Sequence, residues 1–211
     1  MKKYVVINLV IITGLVAYLA INASIKPVDE RITVFNSSIS FESNGNLDSA
    51  ISVIQNSYSK FENDYLYNLR LGWLYYSSGQ LEKSLGYYEK AKILAPGNIE
   101  SQFGATLPLS KLDKKNELIK IYSDIIKTDS MNYTANLYIG QLYLSGGDYN
   151  KAKYHLEISF SQYPGYFDPN LYLGWTYYYL GNKKKAKEHF IYSLMLVADN
   201  KSAKEGLALV E

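Results

Sequence analysis

The chain has 211 residues, with 22 Lys and Arg against 20 Asp and Glu, for a formal charge of +2. That balance offers no basic stripe of the kind that grips nucleic acid. Cysteine is absent, which excludes disulfides, thiolate metal sites, a cysteine nucleophile and a lipidated N-terminal cysteine.

Residues 4–25 form the first element: they carry no charge and are mostly Val, Ile, Leu, Ala and Tyr. As a helix rising ~1.5 Å per residue they span roughly 33 Å, enough for a bilayer core. Lys2 and Lys3 precede them, whereas Lys26, Asp29, Glu30 and Arg31 come after with no net charge. Positive charge on the N-terminal flank predicts that residues 1–3 stay in the cytoplasm, that 4–25 is a transmembrane signal-anchor, and that the rest is exported. A cleaved leader is the alternative. Its apolar core would be long, and Tyr18 or Ile21 stands where an A-x-A-like site needs a small residue. Residues 26–30 are a linker. Counted from Ser24 to Glu30 and fully extended, the connection reaches ~25 Å at ~3.3–3.6 Å per residue, so the chain beyond it stays near the membrane.

Past the linker the chain repeats. Leu71-Gly72-Trp73-Leu74-Tyr75-Tyr76 returns as Leu173-Gly174-Trp175-Thr176-Tyr177-Tyr178, and Ile139-Gly140-Gln141-Leu142-Tyr143-Leu144 sits between them, all on a period of 34. The register divides the chain into 31–64, 65–98, 99–132, 133–166 and 167–200, with 201–211 continuing it as a capping helix. The first and third windows are degenerate: Ser37 replaces the first window's Leu, and the third has Ala105 and Thr106 where Leu-Gly stands elsewhere. Each window predicts two helices of about 12–14 residues, turning at Gly45, Gly79, Asp113, Gly147 and Gly181. Gly72, Gly140 and Gly174 fall mid-helix, where Gly costs ~1 kcal/mol against Ala. Close approach of a neighbouring helix would compensate. Pro96 and Pro164 come after second helices. Pro108 falls inside a first helix, where it is expected to bend or break it and so supply a hinge.

The period, the Leu-Gly-x-x-Tyr core and the later Ala and Pro resemble the tetratricopeptide repeat (TPR) family. The resemblance implies an all-α superhelix of about five helix-turn-helix repeats. It also implies a concave groove lined by first helices, at places that correspond here to Leu69, Arg70, Trp73, Tyr76, Phe103, Leu137, Tyr138, Gln141, Tyr172, Trp175, Tyr178 and Tyr179. Leu66, Leu107, Lys111, Leu144 and Leu171 fall at further such places. These side chains serve either as packing between first helices or as partner contacts, Trp and Tyr being frequent anchors of binding energy. The family's carboxylate clamp is not recognisable.

Chemistry finds no foothold. His155 and His189 are one period apart and share one repeat place, which reads as repetition rather than as a metal or catalytic pair. No G-x-S-x-G occurs, and Lys183-Lys184-Lys185 with Lys187 reads as a solvated face. The chain is therefore expected to be no enzyme and to need no cofactor or metal. The expected role is that of a membrane-tethered scaffold, on the periplasmic side of a bacterial inner membrane, holding a protein or peptide during assembly of an envelope complex. The resemblance to the TPR family implies a role of the pilus or secretion assembly, cytochrome maturation or polysaccharide export type. A carbohydrate- or lipid-binding module that uses the same aromatics is the alternative, and self-association stays open.

Overall fold

The computed structural model describes residues 29–211, so the proposed anchor at 4–25 lies outside the described residues. Among those described there are twelve helices and no strand, and no helix is long and apolar enough to cross a membrane. They divide into two compact units, one ending at Phe61 and one spanning Glu62–Glu211.

The first unit contains α1 (Glu30–Ser43), α2 (Leu47–Gln55) and the single turn α3 (Tyr58–Phe61). Asp29 caps α1 by accepting from the Arg31 amide, and Arg31 returns an ion pair that holds the Asp29 carboxyl down at about 2. Ser38, Ala50 and Ile54 are fully buried where α1 and α2 meet. Phe41, at a place that buries Tyr in later repeats, is exposed here.

The second unit is a stack of antiparallel pairs: α4 (Tyr65–Ser77) with α5 (Leu81–Leu94), α6 (Glu100–Lys111) with α7 (Lys115–Thr128), α8 (Tyr133–Ser145) with α9 (Tyr149–Gln162), and α10 (Phe167–Tyr179) with α11 (Lys183–Leu196). The last helix, α12 (Lys201–Ala208), closes it. Gly79 turns α4 into α5 at φ +77°, and Asp113 performs the same turn in the next pair at φ +54°. Asp is among the few residues with a side chain that tolerate this left-handed region.

The mid-helix glycines answer to packing. A Cβ on Gly72 would lie 2.8 Å from the Tyr88 ring, one on Gly140 2.6 Å from Leu156, and one on Gly174 2.7 Å from Phe190. Each is a contact between the two helices of one repeat. Two rings are gripped from the far side as well. A Cβ on Gly104 would lie 2.2 Å from the Tyr88 ring and one on Gly206 2.2 Å from the Phe190 ring, each from the following repeat unit.

Pro108, expected to bend or break its helix, does not break it: α6 runs on to Lys111, and Leu112 N bonds to the Pro108 carbonyl at 3.0 Å. The cap buries Ala203, Gly206 and Val210, whereas Leu207 is half-buried and Ala208 exposed. An i, i+3, i+7 stripe centred on Gly206 is the one that meets Phe190.

Candidate functional site: an aromatic groove and a buried amide ladder

First helices of four successive repeats, α4, α6, α8 and α10, line a mostly apolar cavity of about 1060 Å³. Of the groove residues named from the sequence, Leu69, Trp73, Phe103, Tyr138, Gln141 and Tyr172 face it, and so does Leu107. Trp175 and Tyr179 lie in a neighbouring depression of about 550 Å³, where Tyr179 stacks on Tyr149 with ring centres 4.8 Å apart. Tyr76 and Tyr178 line neither; they pack against Trp73 and Trp175 at 5.9 and 5.8 Å. Arg70 is half-buried and also outside both. Leu137 is a correction. At 4% exposed it packs in the core with Leu156 and Leu171, because an aliphatic group at this place fills the seam to the next repeat.

The cavity's depth comes from residues that repeat consensus overlooks. Gly104 stands where the next two repeats have Tyr138 and Tyr172, so the groove floor drops onto the face of Tyr88. Thr106 stands where the other three have Gly, which keeps α6 and α7 from closing as tightly and lets Leu118 and Tyr122 reach the wall. Burial raises the phenol pKa of Tyr88 and of Tyr122, so both remain neutral donors. Among the described residues, Glu100 supplies the only charged side chain on the lining; its carboxylate accepts from Tyr65 Oη at 3.2 Å. The signal is present in the Gly-Ala-Thr of the third window, but it reads as decay of the pattern rather than as a cavity.

On the other side of the repeats, Asn68, Asn136 and Asn170 are fully buried. Asn136 Nδ2 donates to the carbonyls of Ser130 and Asn132 at 3.0 and 2.9 Å, and Asn170 Nδ2 to those of Pro164 and Tyr166 at 2.8 Å each. This turns each amide oxygen toward a histidine, at 2.9 Å from His155 Nδ1 and 3.1 Å from His189 Nδ1. Both rings therefore carry their proton on Nδ1 and donate it. His155 stacks on Tyr143 and His189 on Tyr177, and Lys151 and Lys185 lie 5.1 and 4.8 Å from the centres of those tyrosine rings. In the second repeat Tyr87 takes the histidine's place and stacks on Tyr75 beneath Lys83. The lysine run at 183–185 is exposed, and among the described residues no group of three potential ligands can hold a metal.

Burial lowers both histidine pKa values from the ordinary 6.5; Glu188 and Glu157 oppose the shift at His189, and Lys185 adds to it. The unfolded chain therefore binds more protons between the two values. Stability is complete above about pH 6.5 and is lost as pH falls from there through the folded-state values. Thermal midpoints measured from pH 7.5 to 5 should decline below pH 6.5. Replacing both histidines by Tyr, as the second repeat has, should flatten that decline.

Family profiles described as Tetratricopeptide repeat match residues 37–99, and 134–166 with 170–191, together more than half of the chain. Among solved structures, MamA is similar at 21% identity with a TM-score of 0.71, covering 83% of this chain and 95% of that one. A tetratricopeptide repeat protein from Parabacteroides merdae gives 18% and 0.76, covering 87% and 73%. YrrB, described as a TPR protein with an unusual peptide-binding site, gives 18% and 0.69, covering 82% and 89%. No curated protein matches by sequence. At these identities the structural likeness establishes the fold, and with the profile matches it shows that the chain belongs to the tetratricopeptide repeat family.

Proposed function

We propose that this chain is a membrane-tethered scaffold whose groove holds a peptide segment of a partner protein. In this reading residues 4–25 anchor it in a bacterial inner membrane, and the repeats work on the outer side during assembly of an envelope complex. The observation that carries the proposal is the apolar cavity of about 1060 Å³, walled by Trp73, Phe103 and Tyr138. Its chemistry suits aromatic or aliphatic side chains of a segment laid across the first helices. YrrB, of the same fold, is described as having a peptide-binding site.

The test is crosslinking of the full chain in intact cells, followed by pull-down. Replacing Trp73 and Tyr138 together by Ala should cut partner recovery by about tenfold or more, the usual effect of removing two anchors. Unchanged recovery by a folded double variant would reject the groove as the binding face. Extraction of the full chain from membranes by detergent but not by carbonate is expected for an anchor. The stacked, half-exposed pair Tyr149 and Tyr179 favours glycan stacking as a second reading. Tryptophan fluorescence titrated with envelope glycans separates the two, a saturable response at Trp175 supporting the glycan.

A further inference from the structure

The groove is not electrically even. Glu100 opens α6 at its edge with an exposed carboxylate, which the Tyr65 hydroxyl of α4 holds through Oε2 at 3.2 Å. Among the described residues no Lys or Arg forms an ion pair with it. Asp168 stands at the same repeat place on α10, near Tyr172 of the groove wall; burial, and then that charge, raise the Tyr172 phenol pKa. The opposite ends of the first helices are basic. Lys111 is exposed in the last turn of α6, and Lys115 Nζ donates to Ser145 Oγ on the lining at 3.0 Å. The helix dipole favours an acid at a helix start, yet it does not account for a carboxylate tied across to a neighbouring helix at the groove's edge. One helical turn from Glu100, ~6 Å along α6, Gly104 presents no side chain, and the cavity around it is lined by Trp73, Leu107 and Tyr138. These three are 41%, 37% and 45% exposed, so open apolar surface and an acid without a cation lie side by side.

We propose that the segment held in the groove carries a basic side chain two residues from an aromatic one. The cation pairs with Glu100, and the ring lies over Gly104 against Trp73 and Tyr138. The inference rests on the groove reading above and adds the partner's chemistry to it. In an extended segment, side chains two residues apart share a face and stand ~7 Å apart, which matches the step from Glu100 to Gly104. Arg suits the place best, because its stem lies on apolar surface while its planar head meets a carboxylate. An acidic side chain there meets Glu100 and is repelled.

The test titrates the full chain with the end-capped peptide Gly-Ser-Arg-Ser-Phe-Ser-Gly, followed by NMR at the Trp73 indole and the Leu107 methyls. Citrulline in place of Arg keeps the shape without the charge. It should weaken binding about three- to fivefold at about 0.01 M ionic strength, and the gap should close at about 1 M. Glu in place of Arg should weaken binding further. Glu100→Gln should bind the Arg and citrulline peptides alike. Equal affinity of the Arg, citrulline and Glu peptides for the unmodified chain overturns the inference and leaves the groove reading standing, whereas no saturable shift with any of them overturns both. An Arg preference that survives Glu100→Gln places the cation elsewhere and also overturns it. Tyramine, a free aromatic amine, binding as tightly as the Arg peptide assigns the site to a small molecule and overturns the polypeptide partner.

Discussion

Phe190→Ala should destabilise the second unit by about 3–5 kcal/mol, the usual range for emptying a buried phenylalanine site. The ring is fully buried and held from two sides, by Gly174 within its repeat and by Gly206 on α12. The void cannot collapse readily, because both walls are helix backbone. Gly174→Val should cost about 1–3 kcal/mol through overpacking. Its Cβ would meet the ring at 2.7 Å, and the ring cannot retreat because Gly206 stands behind it. Urea midpoints followed by circular dichroism check both. A loss below ~1 kcal/mol for Phe190→Ala would show that the seam between α10, α11 and α12 is looser than described.

Asn136→Ala has the second-largest expected effect, about 2–3 kcal/mol, from two unmatched polar groups together. The substitution removes a side chain of small volume, so the cost is polar. The carbonyl of Ser130 loses its donor and His155 Nδ1 its acceptor, while the Asn132 carbonyl keeps the backbone bond from the residue 136 amide at 3.0 Å. A buried polar group left unmatched costs ~1–3 kcal/mol. Asn132→Ala provides the scale, since it removes one N-cap bond to the Ala135 amide, worth ~0.5–2 kcal/mol. If Asn136→Ala costs no more than Asn132→Ala, the ladder contributes little.

The pairing of helices is legible in the sequence because its determinants are local or strictly periodic. Glycine at the turns and at the eighth place of the strong repeats, with a large residue at the twenty-fourth, returns every 34 residues. The two histidines show in sequence as repetition, but their acceptor does not show: Asn at the fourth place looks like a substitute for the family's Trp, not a hydrogen-bonding hub. Leu137 departs from the groove because a place that faces it in one repeat becomes a seam where the following helix offers Leu171 to pack against. The floor of the groove is out of reach for a different reason. Its depth depends on what is missing at Gly104 and on an extra methyl and hydroxyl at Thr106, and a pattern built on matches reads both as noise.

The double grip on Tyr88 and Phe190 bears on how the molecule opens. A terminal helix of eight residues ordinarily frays alone, yet lifting α12 bares the Phe190 ring, and with it the centre of the preceding pair. Amide hydrogen exchange should therefore find α12 opening together with α10 and α11 as one cooperative segment. Among the described residues Leu156 has only Gly140 against it, with no glycine grip from the next repeat, so the boundary between α9 and α10 is where such a segment would end.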